Sequence, residues 1–344
     1  MNEIEHRDRE LLNVLQSEIP ISSTPYALIG QVIDMSEKEV IKRITRLKSE
    51  GVVRRITGVF DSRRLGYSTC LVAARVEEGD VDRAAATINL HPGVSQNYLR
   101  NHDFNLWFTI TVAPDSKLGL EKTVAILGEE AECRAVRLLP KLRVLKSANG
   151  DSESAGGGEG DDDSTRIDSP LTPEEIEALR LLQRDLPLQP RPFDELASAA
   201  NMSGEQLLDF ARTFASRQQL RQFTGSLDLK KPSFSATTLG VWKVPEAELD
   251  DFGAKLIPIK AVSQSYLRPV YSDWPYNVFT TVHGRSVDEC ESVLAEIERS
   301  TGVTERNALY PTRELKKARV TLFSPEQRSW EEAHLTAESE SAVS

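Results

Sequence analysis

Between Glu5 and Ser17 the apolar positions Leu11, Leu12 and Leu15 return on one helical face, and Pro20 stands beyond the end, which predicts a helix. A short second helix is predicted from about Tyr26 to Val32. A third opens at Asp34-Met35-Ser36, with Ser36 as N-cap, Glu39 three residues on as in a capping box, and Val40, Ile41, Ile44 and Leu47 as its apolar stripe. Gly51 ends it. Val52 to Phe60 then reads as a strand, the wing of a winged helix-turn-helix. From Thr69 the period changes. A strand to Val76, a helix from Asp80 to Leu90, a turn at His91-Pro92-Gly93, strands Val94–Arg100 and Asn105–Val112, a helix from Ser116 to Gly128 and a strand from Cys133 to Leu139 follow in turn. That β-α-β-β-α-β order predicts a ferredoxin-like sandwich, an antiparallel sheet with both helices on one face.

The whole pattern then repeats. Val94-Ser95-Gln96-Asn97-Tyr98-Leu99-Arg100 returns as Val262-Ser263-Gln264-Ser265-Tyr266-Leu267-Arg268, and Asn105-Leu106-Trp107-Phe108-Thr109 returns as Asn277-Val278-Phe279-Thr280. Upstream, Leu15 to Pro20 is echoed by Leu182 to Pro187, Asp34-Met35-Ser36 by Asn201-Met202-Ser203, and Ile56-Thr57-Gly58 by Phe223-Thr224-Gly225. The fold class is therefore α+β, two copies of a winged helix-turn-helix followed by a ferredoxin-like domain. The expected boundaries are 1–62 and 63–147 for the first copy, an acidic linker over 148–170, 171–231 and 232–323 for the second copy, and an acidic tail over 324–344.

Charge changes this picture less than its total implies. The net charge is −11, but the linker holds seven acidic residues against Arg166 and the tail five against Arg328, so these two segments carry nearly all of it. They read as solvated segments, and the folded remainder is close to neutral. No apolar run approaches the ~20 residues of a membrane span, and the start has no apolar signal core, so a cytoplasmic protein is expected. Cys70, Cys133 and Cys290 lie far apart, which supports neither a disulfide framework nor a zinc site.

A helix-turn-helix followed by this sandwich resembles the Lrp/AsnC regulators. The signature strands, with Asp273-Trp274-Pro275-Tyr276-Asn277 and Tyr310-Pro311-Thr312-Arg313-Glu314-Leu315-Lys316-Lys317, resemble more specifically the siroheme decarboxylases, here with both subunit types in one chain. The resemblance implies loss of carbon dioxide from two acetate side chains of siroheme, giving didecarboxysiroheme for haem or dioxo-type haem biosynthesis. The iron would belong to the substrate, with no resident cofactor and no metal site of the protein's own. Many family members would carry histidine at the positions of Gln96 and Gln264, so a histidine ligand or proton donor is missing there.

The implied chemistry needs arginine or lysine to hold carboxylates and a proton source for the new methyl group. As catalytic candidates it marks Tyr98, Arg100 and His102 in the first copy, and Tyr266, Arg268 and His283 in the second. As substrate-binding candidates it marks Arg54, Arg55, Gln96, Trp107, Arg221, Gln264, Trp274, Arg313, Lys316 and Lys317. The ordinary readings of these types are solvated arginines, packing histidines and core aromatics. The competing function is a DNA-binding regulator that senses a small ligand. The third helix carries Lys38, Lys42, Arg43, Arg46 and Lys48, but its counterpart from Ser203 to Arg212 has no basic residue before Arg212, so DNA binding is not the expected role. The repeat predicts an internal pseudo-dimer of the two halves and leaves a further homodimer open.

Overall fold

The computed structural model describes residues 5–147, 170–227 and 236–341. The first half of the chain forms α1 (His6–Ser17), α2 (Pro25–Val32), α3 (Glu37–Ser49) and β1 (Val53–Phe60), then β2 (Ser68–Arg75), α4 (Val81–Leu90), β3 (Val94–Arg100), β4 (Leu106–Val112), α5 (Gly119–Glu130), β5 (Ala135–Leu139) and β6 (Arg143–Lys146). The second half forms α6 (Pro173–Leu182), α7 (Pro192–Ser198), α8 (Gly204–Ser216) and β7 (Leu220–Leu227). It continues with β8 (Ala236–Trp242), α9 (Leu249–Leu256), β9 (Val262–Leu267), β10 (Val278–Gly284), α10 (Val287–Thr301), β11 (Arg306–Leu309), β12 (Pro311–Lys317) and α11 (Pro325–Ser341). The expected linker, apart from Pro170, lies outside the described residues.

These elements gather into two compact units, each drawing on both halves. One contains the helix-turn-helix copies. Ser36 caps α3 by accepting from the Glu39 amide, as expected, but Glu39 turns its carboxylate to Arg43 at 2.7 Å instead of closing the box. The second copy does close it, Ser203 with Gln206 ahead of α8. Asp34 and Asn201 hold matching left-handed positions, φ 51° and 53°, which short polar side chains tolerate.

The expected wing is not a hairpin within one copy. β1 pairs antiparallel with β7 of the other copy, Gly58 opposite Phe223 and Ile56 opposite Gly225. A lone strand leaves its backbone ladder unsatisfied, and its twin supplies the missing partner. The exchange is reciprocal: the Ile19 amide donates to the Phe223 carbonyl and the Leu186 amide to the Ile56 carbonyl, both at 2.8 Å. Glycine is needed at Gly58, where a Cβ would stand 2.9 Å from the Leu182 carbonyl oxygen, and the approach is tight at Gly225, where a Cβ would stand 3.2 Å from Leu15 Cβ.

The other unit contains the sandwiches. One sheet runs β12-β3-β4-β2-β5 and the other β11-β8-β10-β9-β6. Each half therefore lends its last strand to the other's sheet, with Glu314 of β12 opposite Tyr98 and Val144 of β6 opposite Tyr266. Alternation decides the faces. Leu106, Phe108 and Ile110 pack toward α4 and α5, while the intervening Trp107 joins Ala73, Phe104, Leu139, Val241, Trp274, Phe279 and Leu309 in a core shared by the halves.

The segment expected as a solvated acidic tail is helical. Trp330 of α11 packs against the first sandwich's core and meets the His91 ring edge-on, with centroids 4.4 Å apart. Gln327 donates to the Thr111 carbonyl at 3.1 Å, and Glu331 accepts from the Leu118 amide at 2.8 Å, ahead of an α5 that has no side-chain cap of its own. One aromatic and two polar anchors outweigh the acidic composition.

Candidate functional site

A cleft of about 910 Å³ opens in the sandwich unit where β2 and β3 end and α4 begins. Arg75 comes from the end of β2, Arg100 from the end of β3, Arg134 from the approach to β5, and Thr312 and Arg313 from the exchanged β12. The turn from Asn101 to Asn105 forms another wall. Two asparagines hold it rigid. Asn105 clamps Val76, donating to its carbonyl at 2.9 Å and accepting from its amide at 3.0 Å. Asn101 donates to the Ala308 carbonyl at 3.1 Å and accepts from the Tyr310 amide at 2.6 Å. Asn277 repeats the clamp on Val244 in the second half, so this signature asparagine serves the backbone in both copies.

The arginines differ in what they already hold. Arg134 is paired with Glu77 and Arg313 with Asp82, all four partly or well exposed, so little free energy is lost when these pairs open. Arg75 lies 3.8 Å from Asp273 and 4.6 Å over the Phe104 ring. Arg100 donates to the Leu309 carbonyl at 2.7 Å, its guanidinium 5.7 Å from the Tyr98 centroid. The Nε atoms of Arg75 and Arg100 are buried without a hydrogen-bond acceptor. Burial lowers the Arg100 pKa to about 10, and the group remains a cation at neutral pH.

His102 lines the same cleft. Its Nδ1 accepts from the Phe104 amide at 3.0 Å, and its ring meets Trp274 edge-on at 5.2 Å. Burial lowers its pKa, with Asp103 opposing and Arg75 adding to the effect. The ring is therefore neutral with its proton assigned to Nε2, because Nδ1 is engaged as an acceptor. Binding iron through Nε2 would require the other tautomer and the loss of the Phe104 bond.

Of the candidates read from the sequence, Arg100, His102 and Arg313 line the cleft; the rest do not. Tyr98 faces Glu314 at 3.4 Å, and burial, then Glu314, raises its pKa. Gln96 stands opposite Lys317 and Thr109, and Gln264 opposite Thr281. Tyr266 is buried, with Lys141 4.2 Å above its ring. Arg268 is 8% exposed and donates to the Leu139 carbonyl, the mirror of Arg100 on Leu309. His283 is held by Thr237 at 3.1 Å and Ser263 at 2.8 Å. Lys316 donates to the Asn89 carbonyl at 2.7 Å.

Trp107 and Trp274 are core residues, 1% and 0% exposed, and neither lines the cleft. Arg54 and Arg55 are exposed on β1, and Arg221 is paired with Asp61 at 2.8 Å, all in the helix-turn-helix unit. Sequence reasoning missed Arg75, Arg134, Asn101 and Thr312. A signal for Arg75 was present: the paired strand ends carry Arg75 opposite the Asn105 side and Lys243 opposite the Asn277 side, a basic residue in both copies.

Comparison with known proteins follows the same repeat. A model of the AsnC-like ligand binding domain matches residues 64–146 and 233–316, and one of the siroheme decarboxylase NirDL-like HTH domain matches 8–54 and 175–221. The siroheme decarboxylase of Hydrogenobacter thermophilus is 33% identical over 93% of this chain and 96% of its own length. The alpha and beta subunits of the Desulfovibrio desulfuricans siroheme decarboxylase are 38% and 34% identical, over 42% and 45% of this chain and 82% and 98% of their own. A crystal structure of the siroheme decarboxylase NirDL with an iron-uroporphyrin III analogue is similar at a TM-score of 0.78 and 30% identity, covering 96% of this chain and 99% of that one.

Proposed function

This chain belongs to the siroheme decarboxylase family, and from that we propose that it is a carboxy-lyase that removes the carboxyl groups of two acetate side chains of siroheme, yielding didecarboxysiroheme in the cytoplasm. The observation that carries the reading is the full-length relationship, both halves included, to an enzyme of that name. The cleft supports it. Its size falls near the top of the roughly 300–1,000 Å³ usual for small-molecule pockets, and four arginines line it, as a polycarboxylate requires.

The reaction has three demands. The carbon–carbon bond to the carboxylate breaks, and its electron pair passes into the macrocycle. Carbon dioxide leaves. A proton then completes the methyl group. The iron arrives with the substrate, so the protein's part is to bind, orient and supply that proton. Arg100 can pair with a carboxylate without first leaving another one, since its hydrogen bond is to a carbonyl. Arg134 and Arg313 exchange exposed protein carboxylates for substrate ones. His102 is neutral with its proton assigned to Nε2, so it can orient the scissile carboxylate by a hydrogen bond without an ion pair that would hold it back. The ring must take up a proton from solvent before it can act as the acid that completes the methyl group.

Iron-uroporphyrin III provides a binding test independent of turnover. Titration of the full chain is expected to give saturable binding that siroheme displaces. Binding that does not saturate, or that siroheme leaves unchanged, would remove the cleft from the account.

A further inference from the structure

The connection between β9 and β10 in the second half is longer than its counterpart in the first, and it does not stay with its own half. Its adjacent residues Asp273 and Trp274 reach two groups of the first half's cleft. Asp273 holds Arg137 through two parallel bonds, 2.9 and 2.8 Å, and stands 3.8 Å from Arg75. Trp274 is fully buried against Phe104 and Trp107 and backs His102. Tyr271 anchors the same connection by donating to the Leu138 carbonyl at 2.6 Å. Asp273 itself does not line the cleft; Arg75 does.

Resting on the siroheme reading, we infer that Arg75 is a further substrate-carboxylate anchor and that Asp273 is its positioning residue, supplied by the second half to the first half's site. Two features of Arg75 fit an anchor. Its Nε is buried with no acceptor among the described residues, and its ion pair with Asp273, at 3.8 Å, is too long for a direct hydrogen bond. Its guanidinium therefore keeps donors for an incoming carboxylate, while the Phe104 face below fixes its plane. Asp273 is already satisfied by Arg137, with Arg137 itself 5.2 Å over the Tyr271 ring. It thus attracts Arg75 without saturating it, so Arg75 is oriented but not consumed. The second half contributes this support through the added length of its connection, which the shorter one in the first half cannot match, and this makes the two halves complementary rather than equivalent.

A double-mutant cycle tests this, read as siroheme affinity and as separate kcat and KM under anaerobic conditions, with thermal unfolding alongside. Arg75→Ala is expected to weaken siroheme binding about tenfold, the effect of losing one charge-assisted contact. Asp273→Asn, isosteric but uncharged, is expected to raise KM with kcat less affected, and Asp273→Glu to recover part of the loss. In the Arg75→Ala background, Asp273→Asn is expected to add little, because its effect passes through Arg75. Parent-like affinity in Asp273→Asn, or losses that multiply in the double variant, would overturn the inference. Should Asp273→Asn unfold, Arg75→Lys still decides: it keeps the charge and loses the fork, and parent-like affinity in that variant rules out the anchor. Failure of the parent protein itself to bind or turn over siroheme would strike the functional reading instead, so the two are told apart.

Discussion

At the residue scale the two signature arginines look identical in sequence and differ in use. Each donates across the halves to the last residue of a strand, Arg100 to Leu309 and Arg268 to Leu139, but only Arg100 lines the cleft. Arg100→Ala is therefore expected to weaken siroheme binding about tenfold, for one charge-assisted contact of roughly 1.5–3 kcal/mol. Arg268→Ala is expected to cost stability first, about 1–3 kcal/mol for a buried carbonyl left without its donor. Siroheme titration and denaturant unfolding of both variants separate these outcomes; equal binding losses with unchanged stability would contradict them. His91 gives a pH signature. Burial, then Lys316 and His334, lowers its pKa to about 4, with Glu331 opposing. Its unfolded value is near 6.5, so the unfolded chain binds the proton first as pH falls. Its contribution is thus intact above about 6.5 and declines toward pH 4, by up to about 3 kcal/mol. Unfolding of His91→Gln is expected to show a shallower loss across that window than the parent; parallel curves would contradict this.

At the scale of elements, the helix that carries the DNA-reading charges in the first copy has committed three of them internally. Arg43 bonds Asp8 at 2.9 Å, Glu5 at 3.0 Å and Glu39 at 2.7 Å, Arg46 bonds Asp8, and Lys48 bonds Asp185 at 2.8 Å. Asp8 is buried, which disfavours its charge, yet the two guanidiniums still hold it below the usual carboxylate range. Freeing these cations for phosphates would strand that carboxylate. Duplex binding at physiological salt is expected to be weak and without sequence preference in a mobility-shift assay; sub-micromolar, sequence-dependent binding would revive the regulator. The repeat made most local elements legible, because helix stripes and strand alternation are set by near neighbours. β6 and β12 were not legible as exchanged strands. Arg143–Lys146 is a short half-polar, mostly half-buried stretch and Pro311–Lys317 is polar and largely exposed, and the partners that make them strands lie in the other half. The tail helix escaped for a similar reason, since acidic composition masked the single aromatic that docks it.

At the scale of the whole molecule, the two halves build one sandwich unit and one helix-turn-helix unit together, which is why a subunit pair can be carried on one chain. The candidate site was half legible. Arg100, His102 and Arg313 carry their chemistry on their face, whereas Trp274, core by default as an aromatic among apolar positions, also suited a ligand wall because apolarity serves both, and packing alone decides. Arg75 and Asp273 become a pair only through the shared core. Both units together serve the decarboxylation of siroheme. Anaerobic incubation of the full chain with siroheme, followed by mass spectrometry of the tetrapyrrole, tests it most directly. The expected result is loss of two carbon dioxide units, with the iron retained; an unchanged siroheme mass alongside saturable binding would contradict it.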